Sequence, residues 1–158
     1  FLDNTACNLA SVNLMKFRQP DGSFDVERFT TACRLFFVAQ EILVDHASYP
    51  TADIARHSHQ FRPLGLGYSN LGSLIRSDGL AYDSEGAYGL CGSVTALLHG
   101  AANLASAEMA AAIDTAIAET GAASMKDMGK VVGHLKAKFA GQMDFAKASG
   151  LVKGKLGG

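Results

Sequence analysis

The chain has 158 residues, is 48% hydrophobic and 18% charged, and carries a formal net charge of -1. That is about one domain of chain with an ordinary globular composition, which excludes wholesale disorder and a dedicated polyanion-binding surface. No apolar run reaches the roughly 20 residues of a membrane helix, the start FLDNTACNLA lacks the basic segment of a signal peptide, and three Cys cannot build a disulfide framework; no membrane association and a cytoplasmic setting are expected.

The near-neutral total is a cancellation. Residues 1–108 hold six Arg and one Lys against eleven Asp and Glu, for a net -4, whereas residues 109–158 hold no Arg and seven Lys against four acids, for a net +3. The change falls near Ser106–Ala112. With no initiating Met, the chain reads as a piece of something longer.

In chain order, TACNLASVNLMKF at 5–17 alternates well enough to predict a strand or extended segment with Val12, Leu14 and Phe17 on one side. Asp21-Gly22 predicts a turn, and Asp25 an N-cap for a helix over 26–45 that is apolar on most sides: Phe29, Cys33, Phe36, Phe37, Ile42, Leu43 and Val44. Pro50 ends it. Residues 63–68, PLGLGY, suit a buried strand or a tight approach to a neighbour; 70–75 suit a short helix stopped at Asp78-Gly79. Asp83 or Ser84 caps a long helix over 85–118, whose Gly86, Gly89, Gly92 and Gly100 predict close packing against a neighbour. Thr120-Gly121 ends that helix. A third helix runs from Ser124 or Met125 to about Phe139, with Met128, Val131, Val132, Leu135 and Phe139 as its apolar stripe, and Asp144 caps a fourth to about Leu156. The expected fold is mainly α with a few short strands.

Few residues carry chemistry. Cys7, in an extended segment, is either a small buried hydrophobe or an inward-facing thiol; Cys33 and Cys91 sit on apolar helical faces and read as core. His57-Ser58-His59 lacks the third converging ligand a zinc site needs, so a loop or surface role is expected, with no metal. Gly65, Gly67 and Gly72 are spaced GxGxxxxG, which is neither a dinucleotide loop nor a P-loop. Lys126, Lys130, Lys136 and Lys138 flank the third helix as a solvated face or, alternatively, a nucleic-acid contact.

Residues 1–108 are similar to the adenosylcobalamin-dependent, class II, ribonucleotide reductases, through FLDNTACNLASVNLMKF, DGSFDVERF, AQEILVDHASYPTADIARHSHQFRPLGLGYSNLGSLI and GLAYDSEGAYGLCGSVTALLHGAANLASAE. The resemblance implies a partial α/β fold, a fragment of a ten-stranded barrel. It also implies a finger loop whose Asn-x-Cys-x-Glu cysteine forms a thiyl radical, and two further cysteines that reduce the substrate and become a disulfide. By that resemblance Cys7 is one of the reducing pair. The finger-loop motif, the partner cysteine and the phosphate-cradling loop lie outside this stretch.

The implied function is reduction of ribonucleoside diphosphates to deoxyribonucleotides with adenosylcobalamin and a thiol reductant. The isolated piece is expected to be inactive and to bind no cofactor tightly.

Residues 109–158, with KDMGKV, LK, GQMDFAKAS and VK, resemble the C-terminal helical tail of the GatB/YqeY family. That resemblance implies a small helical tail and tRNA contact through Lys126, Lys130, Lys136 and Lys138. The alternative function is therefore a tRNA-binding helical module.

Overall fold

A computed structural model describes residues 2–139 and 145–156. In it, β1 (Asn8–Asn13) and β2 (Leu64–Ser69) lie side by side as a parallel pair, from Asn8 opposite Leu64 to Asn13 opposite Ser69. Parallel strands need a crossover of a dozen or more residues, and here it holds α1 (Val26–His46) and α2 (Ala52–Phe61). After β2 come α3 (Leu71–Ser77), α4 (Glu85–Thr120), α5 (Met128–Lys138) and α6 (Phe145–Leu156). The expected mainly helical chain with a few short strands is what is observed.

The Asp21-Gly22 turn forms, with Gly22 at φ +91° and Asp21 accepting from the Ser23 amide at 2.9 Å. The Asp25 carboxylate then accepts from the Arg28 amide at 2.9 Å, which starts α1 as predicted. Past His46 the backbone turns extended at Ala47, and the Tyr49 hydroxyl donates to the Val44 carbonyl at 2.9 Å. The buried face of α1 is Phe29, Cys33, Phe37, Gln40, Glu41 and Val44, a stripe at helical spacing. Leu35, Phe36, Ile42 and Leu43 face outward, so α1 is not buried all round.

That stripe meets the sheet. Val12, Leu14 and Phe17 are buried as expected, Phe17 at the end of a 3-10 turn (Leu14–Phe17) that follows β1 directly. Phe29 contacts the rings of Phe17 and Phe24, each at 5.3 Å between centroids and near edge-to-face. Leu74 of α3 and Val94, Leu98 and Ala101 of α4 close this core.

His57, Ser58 and His59 are not in a loop. They lie on α2, which Thr51 caps through its hydroxyl to the Ile54 amide at 3.2 Å, and which ends at Arg62 in the left-handed region, φ +49°. The alternating His-Ser-His text conceals a helix whose charged residues face outward and whose Ser58 faces inward.

The Ser84 hydroxyl accepts from the Ala87 amide at 3.2 Å to begin α4, and Gly121, at φ +62°, ends it. The helix crosses the compositional change at 108/109 without a break. Its first half packs on the sheet core through Val94, Leu98 and Ala101, and its second half, through Ile113 and Ala116, packs with Val131 and Leu135 of α5 and Ala148 and Val152 of α6. Met128 and Phe139 of the expected α5 stripe pack against this second core, and a 3-10 turn (Met125–Asp127) leads into α5. The predicted cap at Asp144 lies outside the described residues.

The α4 glycines do not do what their positions predict. A Cβ at Gly89, Gly92 or Gly100 would meet nothing within 4 Å, and only Gly86 is approached, by the Leu80 side chain. With no close neighbour to accommodate, each of these three only lowers helix propensity. Gly92→Ala is therefore expected to raise stability by about 0.5–1 kcal/mol, read as a higher urea midpoint at unchanged slope.

Candidate functional site

Cys7 stands immediately before β1, and its surroundings come from both strands and from two helices. Along β1 the side chains alternate. Asn8 points toward α1, where its amide donates to the Gln40 carbonyl at 3.1 Å. Cys7 and Leu9 point to the other face. A Cβ on Gly65 would lie 2.2 Å from a Leu9 methyl and 3.3 Å from the Cys7 sulfur. The bare glycine is what lets the thiol and Leu9 lie across β2.

That face carries little cover, since Leu9 is 80% exposed. It is also small-featured: Ser11 pairs with Gly67, and Asn13 with Ser69. The thiol itself is half-buried, and desolvation raises its pKa above the ordinary thiol value. Its S–H reaches the Asn8 carbonyl at 3.5 Å, a weak contact. At neutral pH Cys7 is therefore a thiol, able to give a hydrogen atom or a proton, not a preformed thiolate nucleophile.

Two buried polar side chains hold the backbone on either side of Cys7. Ser58 of α2 accepts from the Ala6 amide at 2.9 Å. Gln40 of α1 donates to the Asn8 carbonyl at 3.1 Å and to the Gly65 carbonyl at 2.9 Å, so one amide bridges β1 and β2.

Cys33 and Cys91 do not join Cys7. Cys33 is fully buried in the sheet core. Cys91 lies 3.7 Å from the Tyr68 hydroxyl, which also bonds Thr95 at 2.8 Å, and Tyr68 packs on the core side of β2. Among the described residues no group of three or more His, Cys, Asp or Glu side chains could hold a metal. His59 faces Asp45 at 3.7 Å, and His57 edges toward the Phe61 ring.

Behind the site, Arg62 fastens the start of β2 to the end of α1. Its guanidinium donates to Glu41 Oε2 at 2.7 Å, to the Glu41 carbonyl at 2.9 Å, and to both Asp45 oxygens at 2.6 and 3.2 Å. Burial alone would lower its pKa, but the bonds to Asp45 and Glu41 outweigh it, and the group is charged throughout.

Two of the four lysines on and beside α5, Lys130 and Lys138, pair with the chain's own carboxylates. Lys138 and His134 both bond Glu119, at 2.8 and 2.7 Å, and in that order hold its carboxyl below the usual range. Lys130 reaches Asp127 at 3.3 Å. Lys126 and Lys136 lie exposed on the same segment.

Residues 2–140 match the model for the ribonucleotide reductase barrel domain. The chain belongs to the ribonucleotide reductase family. A vitamin B12-dependent ribonucleotide reductase of Rhodopirellula baltica is 73% identical over 115 residues, which is 73% of this chain and 11% of that protein. One from Streptomyces avermitilis is 47% identical over 116 residues, 71% of this chain and 12% of that protein. The ribonucleoside-diphosphate reductase large chain of Encephalitozoon cuniculi is 32% identical over 108 residues, 68% of this chain and 14% of that protein.

The chain thus spans about a tenth of the length of the first two of these reductases. The barrel-domain match runs past the compositional change near Ser106–Ala112 and takes in α5. No helix among the described residues is long and apolar enough to cross a membrane.

The residues present do not fit an enclosed corrin site. Among the described residues, the sheet face that carries Cys7 has an exposed Leu9, and the clefts between helices, lined by Arg34, Glu108 and Phe139 or by Thr31, Leu97 and Leu104, do not include Cys7. Sequence reasoning singles out Cys7 and gives no role to Ser58, Gln40 or Arg62. Ser58 stands 52 positions from its partner Ala6, and Gln40 stands 32 from Asn8, separations at which no local spacing rule operates.

Proposed function

We propose that this chain is the part of a vitamin B12-dependent ribonucleotide reductase barrel that carries one cysteine of the reducing pair, and that Cys7 is that cysteine. The observation that carries the reading is the position of its thiol. It lies on the helix-free face of the parallel pair, above a glycine, with its backbone held from behind by Ser58 and Gln40. Membership of the reductase family and the 73% identity to a vitamin B12-dependent relative support the same reading.

In the parent enzyme the reaction balances as follows. The ribonucleoside diphosphate loses its 2′-hydroxyl as water and gains hydrogen at that carbon. The two electrons come from two thiols, which become a disulfide, and an external dithiol reduces them again. Cys7 supplies one of those thiols. Burial raises its pKa above the ordinary thiol value, so the S–H is present at neutral pH to protonate the departing hydroxyl. The partner thiol must come within disulfide reach, about 5.5–6 Å between Cα atoms, on the open side of β1. The radical chemistry would be supplied by the parent's cofactor, and no residue of this chain is assigned to hold it. A single wall cannot exclude water or hold both thiols, so the piece is inactive alone.

The test is direct. The purified chain, given adenosylcobalamin, a ribonucleoside diphosphate and dithiothreitol, is expected to form no deoxyribonucleotide by chromatography. Measurable turnover contradicts the reading.

A further inference from the structure

Resting on the reading of Cys7 as a reducing thiol, we infer that Ser58 and Gln40 are its positioning residues: buried polar side chains from α2 and α1 that fix the peptide on each side of Cys7 and so set where its sulfur stands. Gln40 lies in the buried stripe of α1, and Ser58 is the buried residue of α2, yet both side chains are polar. Ser58 is 0% exposed and Gln40 is 2% exposed, and a buried hydroxyl or amide is costly unless it is bonded. Each directs its bonds at main-chain atoms next to Cys7 rather than at other side chains. Ser58 takes the Ala6 N–H at 2.9 Å, and Gln40 gives its two N–H bonds to the carbonyls of Asn8 and Gly65.

The geometry fixes the assignment of the Gln40 amide. Both partners are carbonyls, which only accept, so the nitrogen must face them. The remaining oxygen, Gln40 Oε1, meets no donor among the described residues.

The β1–β2 ladder begins at Asn8, so it cannot hold Ala6. That is the point at which Ser58 acts. Before Ala6, the Thr5 hydroxyl donates to the Leu2 carbonyl at 2.7 Å, a local bond three residues apart. Without Ser58 the residues leading to Cys7 would swing from the first ladder pair. Ser58 is in turn carried by α2, whose end is fastened to α1 through Arg62 and its bonds to Glu41 and Asp45. A rigid chain of contacts thus runs from two helices to one thiol, the arrangement that a group meeting its partner within disulfide reach demands.

The test uses this chain with its three cysteines resolved by mass spectrometry. It measures pulse alkylation with iodoacetamide as a function of pH and amide hydrogen exchange at Ala6, in Ser58→Ala, Ser58→Thr and Gln40→Met. Losing one bond of this kind is expected to speed Ala6 exchange about tenfold in Ser58→Ala. The Cys7 alkylation midpoint is expected to fall toward that of a free thiol and its rate to rise severalfold, while Cys33 stays protected. Ser58→Thr keeps the hydroxyl and restores the native profile; Gln40→Met shifts Cys7 in the same direction as Ser58→Ala.

Unchanged Ala6 exchange and an unchanged Cys7 profile in both Ser58→Ala and Gln40→Met overturn the inference. So does equal acceleration at Cys7 and Cys33, which would show general loosening in place of positioning. None of these readouts depends on Cys7 being a reductant. That reading fails separately, if Cys7→Ser in a parent-length reductase retains repeated turnover.

Discussion

Phe29→Ala is expected to destabilise the fold by about 3–5 kcal/mol, the largest single effect available in the sheet core. Phe29 is 0% exposed and sits between the edges of Phe17 and Phe24, at the junction of β1, α1, α3 and α4. Deleting the ring removes two near-perpendicular aromatic contacts and leaves a cavity that Leu14, Leu74 and Val94 would have to collapse into. Total stabilities of domains this size run about 5–15 kcal/mol, so the variant should lose a large part of its margin. Urea melts followed by far-ultraviolet circular dichroism measure it. Phe36→Ala is the control. It lies on the same helix and changes the same atoms, but Phe36 is 43% exposed and its loss is expected to cost under about 1 kcal/mol. Equal losses in the two variants would place the core of α1 on the wrong face.

Arg62→Met is expected to cost about 3 kcal/mol, toward the lower end of what breaking a buried ion pair costs, because solvent still reaches Asp45. The substitution keeps most of the side-chain volume. It leaves the Glu41 carboxylate, 5% exposed, and that of Asp45 without the guanidinium that balances them. Denaturation midpoints of wild type and variant measure it. A loss under about 1 kcal/mol, the scale of an exposed pair, would contradict the buried role of the guanidinium.

These two residues also show how much of the structure the sequence made legible. Phe29 was readable, because Asp25 marks the start of α1 and the stripe Phe29, Cys33, Phe37 and Val44 follows at helical spacing. What the text concealed was which apolar residues to leave out. Leu35, Phe36, Ile42 and Leu43 are as hydrophobic as the rest, and only the direction from which the sheet approaches leaves them exposed. Arg62 was not readable. Its role depends on a left-handed backbone at the end of α2 and on two acids one turn apart on α1.

The same division runs through the site. Cys7 was reached through the likeness of FLDNTACNLAS to the reductases, and the extended segment around it was visible in the alternation. The glycine opposite it was noted as a close-approach residue in PLGLGY, and Gly65 indeed lies under Leu9 and the Cys7 sulfur. The helix glycines, read by the same logic, proved open at Gly89, Gly92 and Gly100. A glycine in a strand paired with a bulky neighbour and a glycine on a solvent-facing helix turn look identical in sequence; only the neighbour distinguishes them.

The central claim is that Cys7 is a reducing cysteine of a ribonucleotide reductase, and one measurement tests it most directly. The 115-residue stretch of this chain that is 73% identical to the Rhodopirellula baltica reductase would replace its counterpart there. Deoxynucleotide formation would then be followed with adenosylcobalamin and a dithiol, with and without Cys7→Ser. The account predicts repeated turnover in the chimera and its loss in Cys7→Ser, with Cys33→Ala and Cys91→Ala retaining it. Undiminished repeated turnover in Cys7→Ser would contradict the account.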